Sequence, residues 1–494
     1  MGWRTGAVRG ARAYGRPPAR AAVTLCATAL ALTTPALLVH AAPVSATADG
    51  TRTPYAFARD ARTVVGADGT TDAQRLDPGR TYRSTLPAAG KRYYRLELDS
   101  SADAYVSATA VPGAGAQVSS SDGLKLSVQD ADGTICSTGT AHFGPTQSPH
   151  PITASASRET GPGTYGCRGA GVYYVVIERR GVTPTAPSSG DWDLELDYVF
   201  EPALRQPGAT TPPGGWNSAP PEAVFGDATR RAGGAGFVGA SAVGQGVWQD
   251  AFRPGQTLFY KVPVDWGQQL SATAELGSST GGDGYVGTAV AMSLYNPVRA
   301  HVDDADAGYS GAQTSAALDP SAPVDYANRH AVGDRTGAMR FAGWYYLVVH
   351  LAASVTDRFG DGPFGLTLRV RVSGTPKSGP VYAGTSAPRD VFTVTAADRE
   401  EAAAGASEGA GPGGGATGSG GPGGSTGSGE PKGGAAAGSG GPVRSGAGDG
   451  GKDESSGTMR LVAMGGIGTG SALVLWLALW TVVARWRARG RWAG

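Results

Sequence analysis

Three carboxylates crowd one short stretch of the chain: Asp303, Asp304 and Asp306 lie within residues 301–308. Closely spaced hard oxygens on a loop can supply several ligands to calcium. The spacing is not that of an EF-hand loop, and no glutamate follows where that loop needs one. A solvated surface loop is therefore the competing reading of these weak calcium candidates. Asp130-Ala131-Asp132-Gly133 is also acidic, but Asp-Gly suits the positive φ of a hairpin turn. Cys136 and Cys167 are the cysteines left once an export leader is removed. In an exported region such a pair favours a disulfide, with two unpaired thiols as the alternative. A metal site is disfavoured, because no histidine stands near either cysteine at a zinc-ligand spacing. His142 and His150 read as isolated in a proline- and serine-rich loop.

Covalent and acid–base chemistry find little support. His350 ends a Tyr-Tyr-Leu-Val-Val-His stretch and reads as a packing or edge residue, not a base. No H-E-x-x-H, no assignable Ser/His/Asp set and no D-x-S-x-S adhesion signature occurs. Gly423-Gly424-Ser425-Thr426-Gly427 matches the hydrolase elbow in form only, since it lies in a tract too glycine-rich to hold a strained strand-turn-helix. The expectation is a protein that is not an enzyme and carries no cofactor. Trp216, Trp248 and Trp266 could stack on sugar rings if exposed, although Trp266 continues the inward alternation of Leu258, Tyr260, Val262 and Val264.

The elements that position these residues repeat. Residues 92–99 (Arg-Tyr-Tyr-Arg-Leu-Glu-Leu-Asp) correspond to 258–265 (Leu-Phe-Tyr-Lys-Val-Pro-Val-Asp), and a Pro-Gly turn precedes each: Pro78-Gly79 and Pro254-Gly255. Residues 124–128 match 290–294 at the same offset of 166. Residues 171–177 match 343–349, and 192–198 match 364–370, both at an offset of 172. Conserved order and spacing mean one fold used twice. Within 192–198, Trp192, Leu194, Leu196 and Tyr198 alternate with Asp193, Glu195 and Asp197. Period-two alternation puts one face on a core and the other in water. Gly, Pro, Asp and Ser punctuate the intervals, and no long helical pattern appears in either copy. The fold expected is all-β: two tandem β-sandwiches over 49–205 and 220–375, of the jelly-roll-like kind that the resemblance described next implies.

The order of motifs resembles the bacterial pre-peptidase C-terminal domain, a jelly-roll-like sandwich found beside many secreted proteases. Its markers here are Tyr93-Tyr94, Asp130-Ala131-Asp132-Gly133, Gly171-Val172-Tyr173-Tyr174-Val175 and the strand from Trp192 to Tyr198. The second copy keeps the strands but has Asn296-Pro297 in place of the Asp-x-Asp-Gly turn. The resemblance covers roughly 75–200 and 245–373. It implies an accessory surface- or substrate-binding module, sometimes supported by calcium, in a membrane-anchored bacterial surface protein of actinobacterial type. No protease domain accompanies it.

The two ends speak to location. Arg4, Arg9, Arg12, Arg16 and Arg20 precede an apolar, alanine-rich stretch from Ala21 to Val39, and Ala46-Thr47-Ala48 offers a cleavage site. This is the pattern of a secretory leader, read as 1–48. Residues 402–457 lose all aromatic residues, and 411–450 holds 19 glycines. Such a segment cannot bury enough apolar area to offset the entropy of ordering it, so it reads as a disordered tether. Leu461 to Ala484 is 24 residues without a charge. That is roughly 36 Å as a helix, long enough to cross a bilayer. Arg485, Arg487, Arg489 and Arg491 follow in 485–494 and belong on the cytoplasmic side, which leaves the body outside. With 42 basic and 41 acidic residues, no basic stripe points to nucleic acid. The sequence thus reads as a single-pass plasma-membrane protein whose extracellular sandwiches bind a cell-wall polymer or an extracellular protein. The alternative is an accessory or spacer subunit of a membrane complex that acts through its transmembrane helix.

Overall fold

The computed structural model describes residues 54–113, 115–161, 166–181 and 190–404. The leader read at 1–48, the tether beyond 404, the span at 461–484 and the basic tail lie outside the described residues. Among the described residues, no helix is long and apolar enough to cross a membrane.

Ten strands build the first sandwich: β1 (Arg62–Thr63), β2 (Gln74–Arg75), β3 (Arg80–Leu86), β4 (Lys91–Leu98), β5 (Asp103–Val111), β6 (Gly123–Asp130), β7 (Ile135–His142), β8 (Ile152–Arg158), β9 (Gly171–Arg180) and β10 (Trp192–Glu201). Ten more build the second: β11 (Ala228–Arg230), β12 (Ser241–Ala242), β13 (Gly246–Phe252), β14 (Thr257–Val264), β15 (Gln269–Leu276), β16 (Val286–Tyr295), β17 (His301–Tyr309), β18 (Thr314–Ala317), β19 (Gly343–Leu351) and β20 (Phe364–Ser373). The first pairs its strands as β1-β3-β10-β5-β8 and β2-β4-β9-β6-β7. The second repeats both orders, strand for strand, as β11-β13-β20-β15-β18 and β12-β14-β19-β16-β17. The eight longer strands of each copy follow the two-sheet order of a jelly roll. The duplication read from the sequence is therefore a duplication of topology.

Alternation explains each core. Trp192, Leu194, Leu196 and Tyr198 all turn inward from β10 and are at most 2 % exposed. They meet Leu96 of β4, Leu126 of β6 and Val175 of β9 in one apolar cluster. Phe364, Leu366, Leu368 and Val370 of β20 do the same in the second copy. The Pro-Gly turns are equivalent too: Gly79 has φ 71° and Gly255 φ 80°, the left-handed region where glycine carries no Cβ penalty. Asp130 Oδ1 accepts the N–H groups of Asp132 and Thr134, and Gly133 has φ 84°, so the acidic Asp-Gly stretch is the β6–β7 hairpin turn.

Cys136 and Cys167 form a disulfide across 31 residues, with their Cα atoms 5.6 Å apart. It ties β7, at the edge of its sheet, to the segment entering β9. In the chain-entropy view a loop of that size contributes about 3–4 kcal/mol. Replacing both cysteines by serine is expected to lower stability by about that amount in a denaturant titration. The loss should vanish if the wild-type protein is measured in excess reductant.

Candidate functional site

The carboxylates singled out above do not lie on a loop. His301–Tyr309 is strand β17, the counterpart of β7, and strand geometry sends alternate side chains to opposite faces. Asp303 is buried, held by Arg335 at 2.8 Å and by the Asp319 N–H at 3.2 Å. Asp304 is exposed and bonded to His301 at 3.2 Å, while Asp306 accepts from the Thr288 hydroxyl at 3.2 Å. The loop expected for them is thereby corrected to a strand, in which Asp303 faces away from Asp304 and Asp306. Among the described residues, no group of three or more His, Cys, Asp or Glu side chains is placed to hold a metal ion.

The face of β10 expected in water is covered instead. Glu195 is fully buried, because the second sandwich covers it. Its carboxylate takes Arg299 at 2.7 Å, the Tyr55 hydroxyl at 2.9 Å and the Ala58 N–H at 2.9 Å. Arg299 comes from the turn between β16 and β17. There Asn296 Oδ1 accepts the N–H groups of Val298 and Ala300, its amide donates to Ala338 O, and Arg299 adopts φ 56°. This is the same Asn-Pro turn at which the second copy departs from the first.

Two more arginines cross the junction. Arg329, in the short 3-10 turn Tyr326–His330, reaches Glu201 at 3.0 Å and Asp103 at 3.4 Å. Glu201 also accepts the hydroxyls of Tyr105 and Tyr382 at 2.9 and 3.0 Å. Arg340 grips Glu159 through two bonds of 2.9 Å, the bidentate geometry that suits guanidinium. Burial works against the Arg299 charge, but Asp197 and Glu195 overcome it and its pKa rises. Burial would raise Glu159, yet Arg340 pulls it below the ordinary glutamate value. Asp103 and Glu201 are raised by burial, which Arg329 only partly offsets. Packed beside these charges, Tyr105, Val199, Val298, Phe341 and Phe392 make an apolar seam.

The C-terminal arm closes the junction. Ala383 and Ala387 donate their N–H groups to Ala203 and Phe200 of the first sandwich, and Arg205 donates back to Val381. The helix Ala396–Ala404 then returns to the second sandwich through Arg399–Asp265 (2.6 Å) and Lys261–Glu401 (2.8 Å). Ala402, where the tether was expected to begin, is buried in that helix.

Two clefts open at this junction. The smaller, about 290 Å³, gathers His142, His150, His301 and His350, residues far apart in the chain. His142 closes strand β7 and is not in a loop. His150 and His350 stack with ring centroids 4.4 Å apart. His350 contacts the Ser148 hydroxyl at 2.9 Å and the Thr257 hydroxyl at 3.0 Å. A serine–histidine contact has the distance of a nucleophile and its base. Here Ser148 is 1 % exposed and its oxygen already accepts the Ala353 N–H at 3.0 Å, so the pair acts as a hydrogen-bonded rivet between sandwiches. Burial lowers the His150 pKa to about 4, keeping the ring neutral.

The larger cleft, about 560 Å³, lies between the segment after β10, the turn at Asp325–Ala327 and the arm at 377–381. Its size is that of a small-ligand site. Trp266, Val324 and Tyr326 supply apolar wall, and Arg205, Gln206, Asp325 and Lys377 supply polar edge. Arg329 lies 3.5 Å from the Tyr326 ring centre, so the arginine that joins the sandwiches also backs one wall of the cleft. Gly379 packs against the Trp266 indole so closely that a Cβ there would stand 2.2 Å from Nε1. Trp248 is core, its indole N–H bonded to Gly244 O at 2.9 Å, and Trp216 packs on the second core. Of the three tryptophans weighed above, Trp266 alone lines this cleft.

Removing Arg299 leaves Glu195 buried without its cation, so Arg299→Met is expected to cost about 3–5 kcal/mol. Adding Glu195→Gln should recover part of that loss, read from urea midpoints of the single and double variants. For His150 the unfolded chain takes up a proton near 6.5 and the folded chain only near 4. Stability should therefore fall as pH drops from about 6.5 to about 4 and stay level below. His150→Gln is expected to flatten that part of the melting-temperature profile.

No known family and no curated protein matches this chain. Solved structures that align along it include the tandem CBM22-1–CBM22-2 domain of Paenibacillus barcinonensis Xyn10C, at 12 % identity, covering 62 % of this chain and 95 % of that one with a TM-score of 0.16. The CUB1-EGF-CUB2 domain of human MASP-1/3 aligns at 7 % identity, 59 % and 99 % coverage and a TM-score of 0.14. The ANXUR2 extracellular domain of Arabidopsis thaliana aligns at 11 % identity, 60 % and 85 % coverage and a TM-score of 0.16. Scores so low carry no argument about function, and the tandem-sandwich architecture stands on the strand order of this chain itself.

Proposed function

We propose that this chain is an exported, membrane-anchored binding protein whose two sandwiches act as one rigid head. Its ligand is a saccharide segment of a wall polymer, taken in the cleft walled by Trp266 and Tyr326. The cleft itself carries the reading. It has the volume of a small ligand, aromatic wall, and convergent polar side chains at its edge, the mixture that a sugar's apolar faces and hydroxyl rims require. The leader, the tether and the apolar span are the basis in the sequence for display outside the membrane. The motifs that resemble the pre-peptidase C-terminal domain fit the same accessory, non-catalytic role. In this reading the head binds and does not turn over its ligand.

Isothermal titration of the full chain in detergent micelles with soluble wall-polysaccharide fragments tests the proposal. Saturable binding is expected, and Tyr326→Ala should weaken it at least about tenfold at a temperature where the variant is still fully folded by circular dichroism. Absence of heat with every fragment, alongside specific capture of a secreted protein by the same preparation, would replace the saccharide with a protein ligand.

A further inference from the structure

We propose that the saccharide taken by this cleft is anionic, its charge carried by a carboxylate or a phosphate group. The inference rests on the saccharide reading of the same cleft and adds the sign of the ligand's charge. Two cations, Arg205 and Lys377, line the cavity, and among the described residues neither has a carboxylate partner. Elsewhere at the junction the cations are committed: Arg299, Arg329 and Arg340 each hold an acid, and Lys261 and Arg399 are paired to close the arm.

Both free cations are anchored at their backbones. The Lys377 N–H donates to Trp266 O at 2.9 Å, and the Arg205 N–H donates to Val381 O at 2.9 Å. The Lys377 stem also lies across Gly267: a Cβ there would come within 2.8 Å of Cγ and 2.9 Å of Cδ. The aliphatic stem of Lys377 thus passes beside the residue that follows Trp266. Asp325 has one oxygen occupied by the Ala327 N–H at 2.9 Å, which holds the carboxylate in place as an acceptor for a sugar hydroxyl. The cleft therefore offers two cations, one oriented acceptor and an aromatic wall. With Asp325 as the one acid among the lining residues named, a neutral sugar would leave the two cations in excess and neither with a direct carboxylate partner, whereas a uronate or a phosphodiester-linked unit answers them by charge-assisted hydrogen bonds.

The test titrates the full chain in micelles with three oligomers of equal length: oligoglucuronate, a phosphodiester-linked glucose oligomer and a neutral glucose oligomer. At low salt one or both anionic oligomers are expected to bind about tenfold or more tightly than the neutral one. About 0.5 M salt should erase the difference. Arg205→Ser combined with Lys377→Ser should erase it too, while Arg230→Ser, an exposed cation away from the cleft, leaves it intact. The two anionic arms tell carboxylate from phosphate. Equal binding of charged and neutral oligomers, unmoved by the double variant, would overturn the charge assignment and leave saccharide binding standing. No binding of any oligomer, together with none of the wall fragments, would overturn the saccharide reading on which it rests.

Discussion

A carboxylate with no access to water, Glu195, is the constraint around which this protein is arranged. On an isolated first sandwich it would sit on the outer face of β10, solvated and unremarkable. In the folded chain it is covered, and only Arg299 from the other sandwich, with a tyrosine hydroxyl and one backbone N–H, makes that burial tolerable. The same logic repeats at Glu201 with Arg329 and at Glu159 with Arg340. Buried ion pairs add little net stability compared with apolar packing, but leaving one half alone is severe. Such pairs therefore select one docking geometry. Misalignment by a few ångströms would strand charges on both sides. Three pairs set along one junction make the two sandwiches a single body.

That body has consequences for what the surface can bind. The smaller cleft exists because the loop carrying Ser148 and His150 meets strands β16, β17 and β19 of the other copy. The larger exists because the segment after β10 and the returning arm are held together beside Trp266. Arg329 connects the two levels of organisation, since its guanidinium satisfies Glu201 and Asp103 at one end of its reach and backs the Tyr326 ring with its plane. A ligand at Tyr326 would thus feel the integrity of the junction. The helix Ala396–Ala404, tied to the second sandwich, is the last described element.

Much of the architecture was legible in advance because its signals are local. Alternation in 192–198 and 364–370 names the inward faces, and the Pro-Gly turns mark equivalent corners. The constant offsets also reveal the duplication without any contact being known. The disulfide could be favoured from a pair of cysteines read as exported, and the structure forms it. What misled was also local reasoning. Asp303, Asp304 and Asp306 looked like a ligand-rich loop because three carboxylates in four positions are unusual, yet position 301 is where the repeat places the counterpart of β7, and a strand splits them across two faces. His142, His150, His301 and His350 carried no pattern at all, being up to 208 residues apart in number, and only docking brings them to one cleft.

The sequence by itself determined the duplicated β-sandwiches, their inward faces and their turns, because apolar periodicity and glycine φ preferences act over a few residues, while the jelly-roll strand order came from the tertiary structure. It also contained one trace of the rest. The Asn-Pro turn that breaks the repeat in the second copy is the turn that projects Arg299. Tertiary structure alone decided whether the polar face of β10 met water or another protein surface. Period two says which side chains share a face and is silent on what covers it. The pairing of charges across more than a hundred residues, and the clefts that pairing leaves at its margins, follow from how two finished sandwiches fit together.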